Sequence, residues 1–212
     1  MRQVRTHPSE YAARPEHRYP TDCGLGVRPA VDELVDMCHV EPGRAEMLLA
    51  HSRELAAEVS SWGETCLQAA SHLGHRRLAV KLLEMGISSD LFVECSLGDP
   101  RRAVAAVRAG EHELCGVHCL PILHFAVMSR EVEAVERLLA AGASVNSPRA
   151  TLPPLHSAVA CHDLTMVEQL LQAGADPWAV DLFEDTAIDW AVFLEGPGSP
   201  MVRLLTQHAS RP

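Results

Sequence analysis

Aromatic side chains are scarce. Phe, Trp and Tyr make up 4% of the 212 residues, although 47% are hydrophobic. The apolar content is therefore mostly Ala, Leu and Val, which suit helices packed closely on one another. Lysine is almost absent: Lys81 is the only one among 18 cationic residues, and the formal net charge is -10. Such a balance argues against a nucleic-acid partner, because phosphate binding needs concentrated Lys and Arg. No hydrophobic run reaches the roughly 20 residues that cross a bilayer, so no membrane partner is expected. The opening "MRQVRTHPSEYAARPEHRYP" also lacks the apolar core of a secretory signal. Seven scattered cysteines, an odd number, do not make a disulfide framework. Reduced thiols in a cytoplasmic protein are the expectation. Phosphate-loop and dinucleotide fingerprints are missing, since "GLG" at 24–26 is too short and follows no strand. No pair of carboxylates is isolated in an apolar setting for acid/base work. Neither an enzyme nor a cofactor is expected.

What is present is repetition. The segments "AVKLLEMG" (79–86), "VAAVRAG" (104–110), "AVERLLAAG" (134–142) and "MVEQLLQAG" (166–174) align on their closing glycine. A short Ala-containing segment precedes each: "TCLQAASHLG", "SDLFVECSLG", "PILHFAVMSR" and "PPLHSAVACH". A final copy, "TAIDWAVFLEGPGSPMVRLLTQHA", carries a small Gly/Pro insertion, and "VDELVDMCHVEPGRAEMLLAHS" is an earlier, looser one. In "AVERLLAAGA", Val135, Leu138 and Leu139 recur at helical spacing and leave one stripe to bury. A helix pair cannot bury that stripe alone, so consecutive pairs must stack. Ala70, Ala126, Ala158 and Ala191 fall at matching places where first helices approach closely. Gly86, Gly110, Gly142 and Gly174 are placed to end helices in the left-handed conformation.

These features resemble the ankyrin repeat, with its period near 33 residues and T-P-L-H-x-A signature. The resemblance covers roughly residues 29 to 209 and implies an all-α fold. The implied architecture is an α-solenoid of about six helix-turn-helix units with short finger loops, at about 29–62, 63–88, 89–119, 120–151, 152–184 and 185–209. Residues 1–28 read as a disordered or loosely attached tail. In the family, the signature Thr and His hydrogen-bond locally and fix the turn into the first helix. Thr65 and Thr186 match the threonine, and His124 and His156 match the histidine. Pro121 and Pro153 replace the threonine in the two central units. Between Gly86 and Ser89 there is almost no room for a finger, so a notch is expected there.

Three places could carry more than architecture. "HELCGVHC" offers His112, Cys115, His118 and Cys119, donor types that zinc takes, although a structural zinc site normally draws on two separated segments. Cys161 and His162 are adjacent and so point in different directions on a helix. In "ADPWAVDLFEDTAIDW", Trp178 stands where the family often has a small polar residue, and Leu182 and Phe183 follow in the same finger. Large apolar residues on a projecting loop are candidate interface anchors. Alternatively, Trp178 packs on the next unit and caps the array. Trp190 reads as core.

The resemblance implies a non-catalytic scaffold that binds a protein through its concave face and finger loops. The expected contact set is His112, Glu113, Met128, Arg149, Ser157, Trp178, Asp181, Phe183 and Glu184. An acidic chain favours a partner with a neutral or basic patch. Terminal units of mixed polarity suggest a monomer. The alternative is a regulatory or metal-responsive subunit that uses the His/Cys loop at 112–119.

Overall fold

A computed structural model describes residues 29–209, so the tail expected at 1–28 lies outside the described residues. Within that span the chain forms two compact bodies, residues 29–93 and 94–209. The N-terminal body holds α1 (Pro29–Val40), α2 (Pro42–Leu49), a 3-10 turn (Arg53–Ala57), α3 (Cys66–His72) and α4 (Arg76–Glu84). The division falls inside α5 (Leu91–Ser96). The C-terminal body continues with α6 (Arg101–Arg108), a 3-10 turn (Val117–Cys119), α7 (Ile122–Ser129), α8 (Val132–Ala141), α9 (Pro154–Ala160), α10 (Leu164–Gln172), α11 (Ala187–Glu195) and α12 (Pro200–Ala209). Among the described residues no strand forms. The finger turns are instead closed by isolated antiparallel bridges, Val59 with Thr65, Cys115 with Pro121 and Val180 with Thr186. The fold is all-α, with two helices to each repeat-length segment.

Stacking follows the stripe logic within each body. In the C-terminal body the first helices α7, α9 and α11 lie side by side, while α6 packs on α8 and α10 on α12. In the N-terminal body α1 packs on α3 and α2 on α4. Leu82, Leu138, Leu170 and Leu205 hold equivalent places in the second helices and are fully buried. Four residues earlier, Leu78, Ala134, Met166 and Met201 are buried on the same face. Ala70, Ala126, Ala158 and Ala191 are completely buried in the first helices, where any larger side chain would push neighbouring helices apart. Trp190 is also core.

Two helix starts obey a reciprocal capping rule. The Thr65 and Thr186 hydroxyls accept the backbone N–H of Gln68 and Asp189, whose side chains accept the threonine N–H in return. Gly142 ends α8 at φ 98°, where an added Cβ would also sit 3.3 Å from His112 Nδ1. Gly142→Val is therefore expected to destabilise the C-terminal body by about 1 kcal/mol or more, read from urea unfolding. Unchanged stability would mean that the helix end tolerates a side chain. Where the finger is missing, a recess of about 330 Å³ lies beside Gln68, Gly86, Ser88 and Asp90.

Candidate functional site

The finger from Asp176 to Asp185 is organised by one carboxylate. Asp181 Oδ1 accepts the backbone N–H of Phe183 (2.8 Å) and of Asp185 (3.1 Å). Its Oδ2 accepts the indole N–H of Trp190 on α11 at 3.0 Å. Glu184 adopts a left-handed φ of 62° to complete the turn, where the N-terminal body's finger has Gly63 at φ 88°. With its backbone tied inward, the finger presents its apolar side chains outward. Trp178 is 59% exposed, Val180 50% and Leu182 68%. Trp178 thus projects from the finger and does not cap the array by packing on the next repeat. Phe183 is half-buried.

The expected contact residues separate by exposure. His112, Glu113, Arg149, Trp178 and Glu184 are exposed, and Met128 is half-buried on α7. Two expectations are corrected. Ser157 has no exposed surface, because its hydroxyl hydrogen-bonds His124 Nδ1 at 2.7 Å between α9 and α7. Asp181 is buried as the internal frame of its finger, bound to three donors of its own chain. Neither presents its side chain at the surface.

The signature histidines link repeats. His156 Nε2 donates to the carbonyl of Asp185 in the following finger at 3.0 Å, and its ring meets Trp190 edge-on at 5.5 Å. Burial pushes its pKa down, which keeps the ring neutral. The family's local Thr–His pairing is absent at these two positions, where Pro121 and Pro153 supply no hydroxyl. The histidines reach forward to the next repeat instead.

The four donors of the 112–119 loop are not gathered. His112 Nδ1 donates to the Gly142 carbonyl at 3.0 Å, and Cys119 is exposed at a left-handed φ of 55°. Among the described residues, the one group of His, Cys, Asp and Glu donors that converges within 4.8 Å does not contain His112, Cys115 or Cys119. Cys115 and Cys161 are pushed up by burial, and Cys95 is pushed up to about 12 by the same cause, so these thiols stay protonated at neutral pH. His162, beside Cys161, hydrogen-bonds Glu195 at 2.8 Å.

One cluster in the N-terminal body escaped the sequence reading. His39 at the end of α1, Glu64 at the end of a finger and His72 at the end of α3 meet in the interior. His39 and Glu64 carried no local signal. His72 reads as ordinary repeat sequence, and nothing short of the fold places the three together.

The repeat geometry, with paired helices, bridged fingers and glycine-ended second helices, is matched by an independent comparison. Residues 111–181 fit the family model for ankyrin repeats in three copies. Over that third of its length the chain is similar to ankyrin repeats. No curated protein matches it. Ankyrin repeats generally mediate protein–protein interaction and are typically non-catalytic. Among the described residues, no helix is long and apolar enough to cross a membrane.

Proposed function

We propose that this protein is a non-catalytic ankyrin-repeat scaffold whose C-terminal body grips a protein partner through its finger loops. The observation that carries the reading is the exposed row Trp178, Val180 and Leu182 on a finger whose backbone is fixed from within. Rigid aromatic anchors lose little conformational entropy on binding and dominate interface energetics. Glu113 and Glu184, both exposed, give the surrounding rim negative charge, and Arg149 adds one positive group. The partner is thus a protein with an apolar pocket flanked by neutral or basic side chains. Net charge of -10 supports the same choice over a polyanion. The protein acts as a cytoplasmic monomer on this account.

The test is a paired variant, Trp178→Ala with Leu182→Ala, used as bait beside the wild-type chain in affinity purification from the native host. A protein captured by the wild type should be lost from the variant, while helical content and melting stay within about 0.5 kcal/mol of wild type, as for surface positions. Unfolding of the variant would place those residues in the core. Undiminished capture would place the contact elsewhere.

A further inference from the structure

Three side chains from separate segments of the N-terminal body bring their polar atoms together. His39 Nε2 lies 3.1 Å from His72 Nε2. Glu64 Oε1 lies 2.9 Å from His72 Nε2 and 3.3 Å from His39 Nε2, and Oε2 lies 3.2 Å from His39 Nε2. All three side chains are buried, with 1–6% of their surface exposed. We propose that they form a binding site for one zinc ion, held by the two Nε2 atoms and the Glu64 carboxylate.

The spacing supports a shared cation. Zinc binds imidazole nitrogen and carboxylate oxygen at about 2.0–2.2 Å in a tetrahedron, which sets neighbouring ligand atoms about 3.3 Å apart. The observed separations of 2.9–3.3 Å are that edge or slightly less. Proton counting points the same way. Two Nε2 atoms facing each other at 3.1 Å can share one proton at most, whereas a cation accepts a lone pair from each. His39 Nδ1 is buried and has no hydrogen-bond partner among the described residues.

The surroundings aim the donors. The Trp62 indole N–H donates to Glu64 Oε2 at 2.9 Å, leaving Oε1 toward His72. The Ser60 hydroxyl accepts the Glu64 backbone N–H at 3.0 Å, and the Ser60 N–H donates to the Glu64 carbonyl at 2.8 Å, which fixes the finger. His75 Nε2 donates to the His39 carbonyl at 2.8 Å, which holds the end of α1 against the start of α4. Such outer partners orient metal ligands. The ligands are 25 and 8 residues apart along the chain (39 to 64, then 64 to 72), so the ion would staple α1, the finger and α3 together.

The test uses the full chain without a histidine tag, stripped with a chelator, dialysed against zinc and assayed for bound metal, with cobalt as a visible-absorption probe. One equivalent of zinc should be retained, and it should raise the melting midpoint relative to the stripped chain. Glu64→Gln, His39→Ala and His72→Ala should each weaken zinc binding by more than about 100-fold, beyond the roughly 10–100-fold expected for Trp62→Phe as an outer partner. Cys115→Ser with Cys119→Ser should leave it unchanged. Should the alanine variants lose helical content, Glu64→Gln and Trp62→Phe carry the comparison. No retained zinc in the wild type would overturn the site and leave a buried hydrogen-bond cluster. Zinc that survives Glu64→Gln, or that is lost with the two cysteines, would place the ion elsewhere.

Discussion

Replacing Phe125 with alanine is expected to destabilise the C-terminal body by about 3–5 kcal/mol. Phe125 is among the largest fully buried side chains and sits on α7, the helix that packs on both α8 and α9. Its neighbours are ill suited to fill the space. Ala126 is already at a close approach of helices, and His124, edge-on to the Phe125 ring at 5.3 Å, is anchored to Ser157. The cavity would remain, and cavity volume adds to the lost transfer energy. Against a total stability of roughly 5–15 kcal/mol for a typical domain, this is a large share. Urea unfolding measures it through the shift in midpoint at constant slope. A loss below about 1.5 kcal/mol would mean that the helices collapse onto the vacancy and that the stack is looser than described.

The second large effect falls on a residue that the sequence placed on the surface. Asp181→Ala should cost about 3 kcal/mol, because it strips an acceptor from the backbone N–H of Phe183 and Asp185 and from the indole of the buried Trp190. Each buried donor left unsatisfied costs about 1–3 kcal/mol, and the exposed finger recovers part of that by taking up water. Asp181→Asn keeps one carbonyl oxygen and should recover part of the loss. Differential melting of the two variants checks the order. Equal and negligible effects would return Asp181 to the contact set.

The contrast between these two residues explains what was legible. Phe125 lies in a segment that reads as a repeat's first helix, but α7 is apolar and buried almost all round, so no stripe singles it out. Leu138, the buried alanines and the Thr65 and Thr186 caps are each decided within four residues along the chain. Ser157 and Asp181 are decided by what the neighbouring helix brings. Ser157 meets His124, 33 residues away, and Asp181 meets Trp190 across a turn that looks like any polar loop. The same limit hid the cluster of His39, Glu64 and His72, whose members come from two different repeats. In the 112–119 loop, four donors close in sequence left a metal set open, and the fold turns His112 toward the Gly142 carbonyl. Trp178 stood out by its type, but whether it projects or packs on the next repeat was open in the sequence, and the fold leaves it 59% exposed.

The claim that the fingers are for contact and the helices for support is tested most directly by amide hydrogen exchange, with and without the captured partner. Slowed exchange should concentrate in the finger between Asp176 and Asp185 and in the two fingers that carry Glu113 and Arg149, with α10 and α12 unchanged. Protection that appears on the outer helices α10 and α12 while residues 176–185 exchange as before would contradict the account.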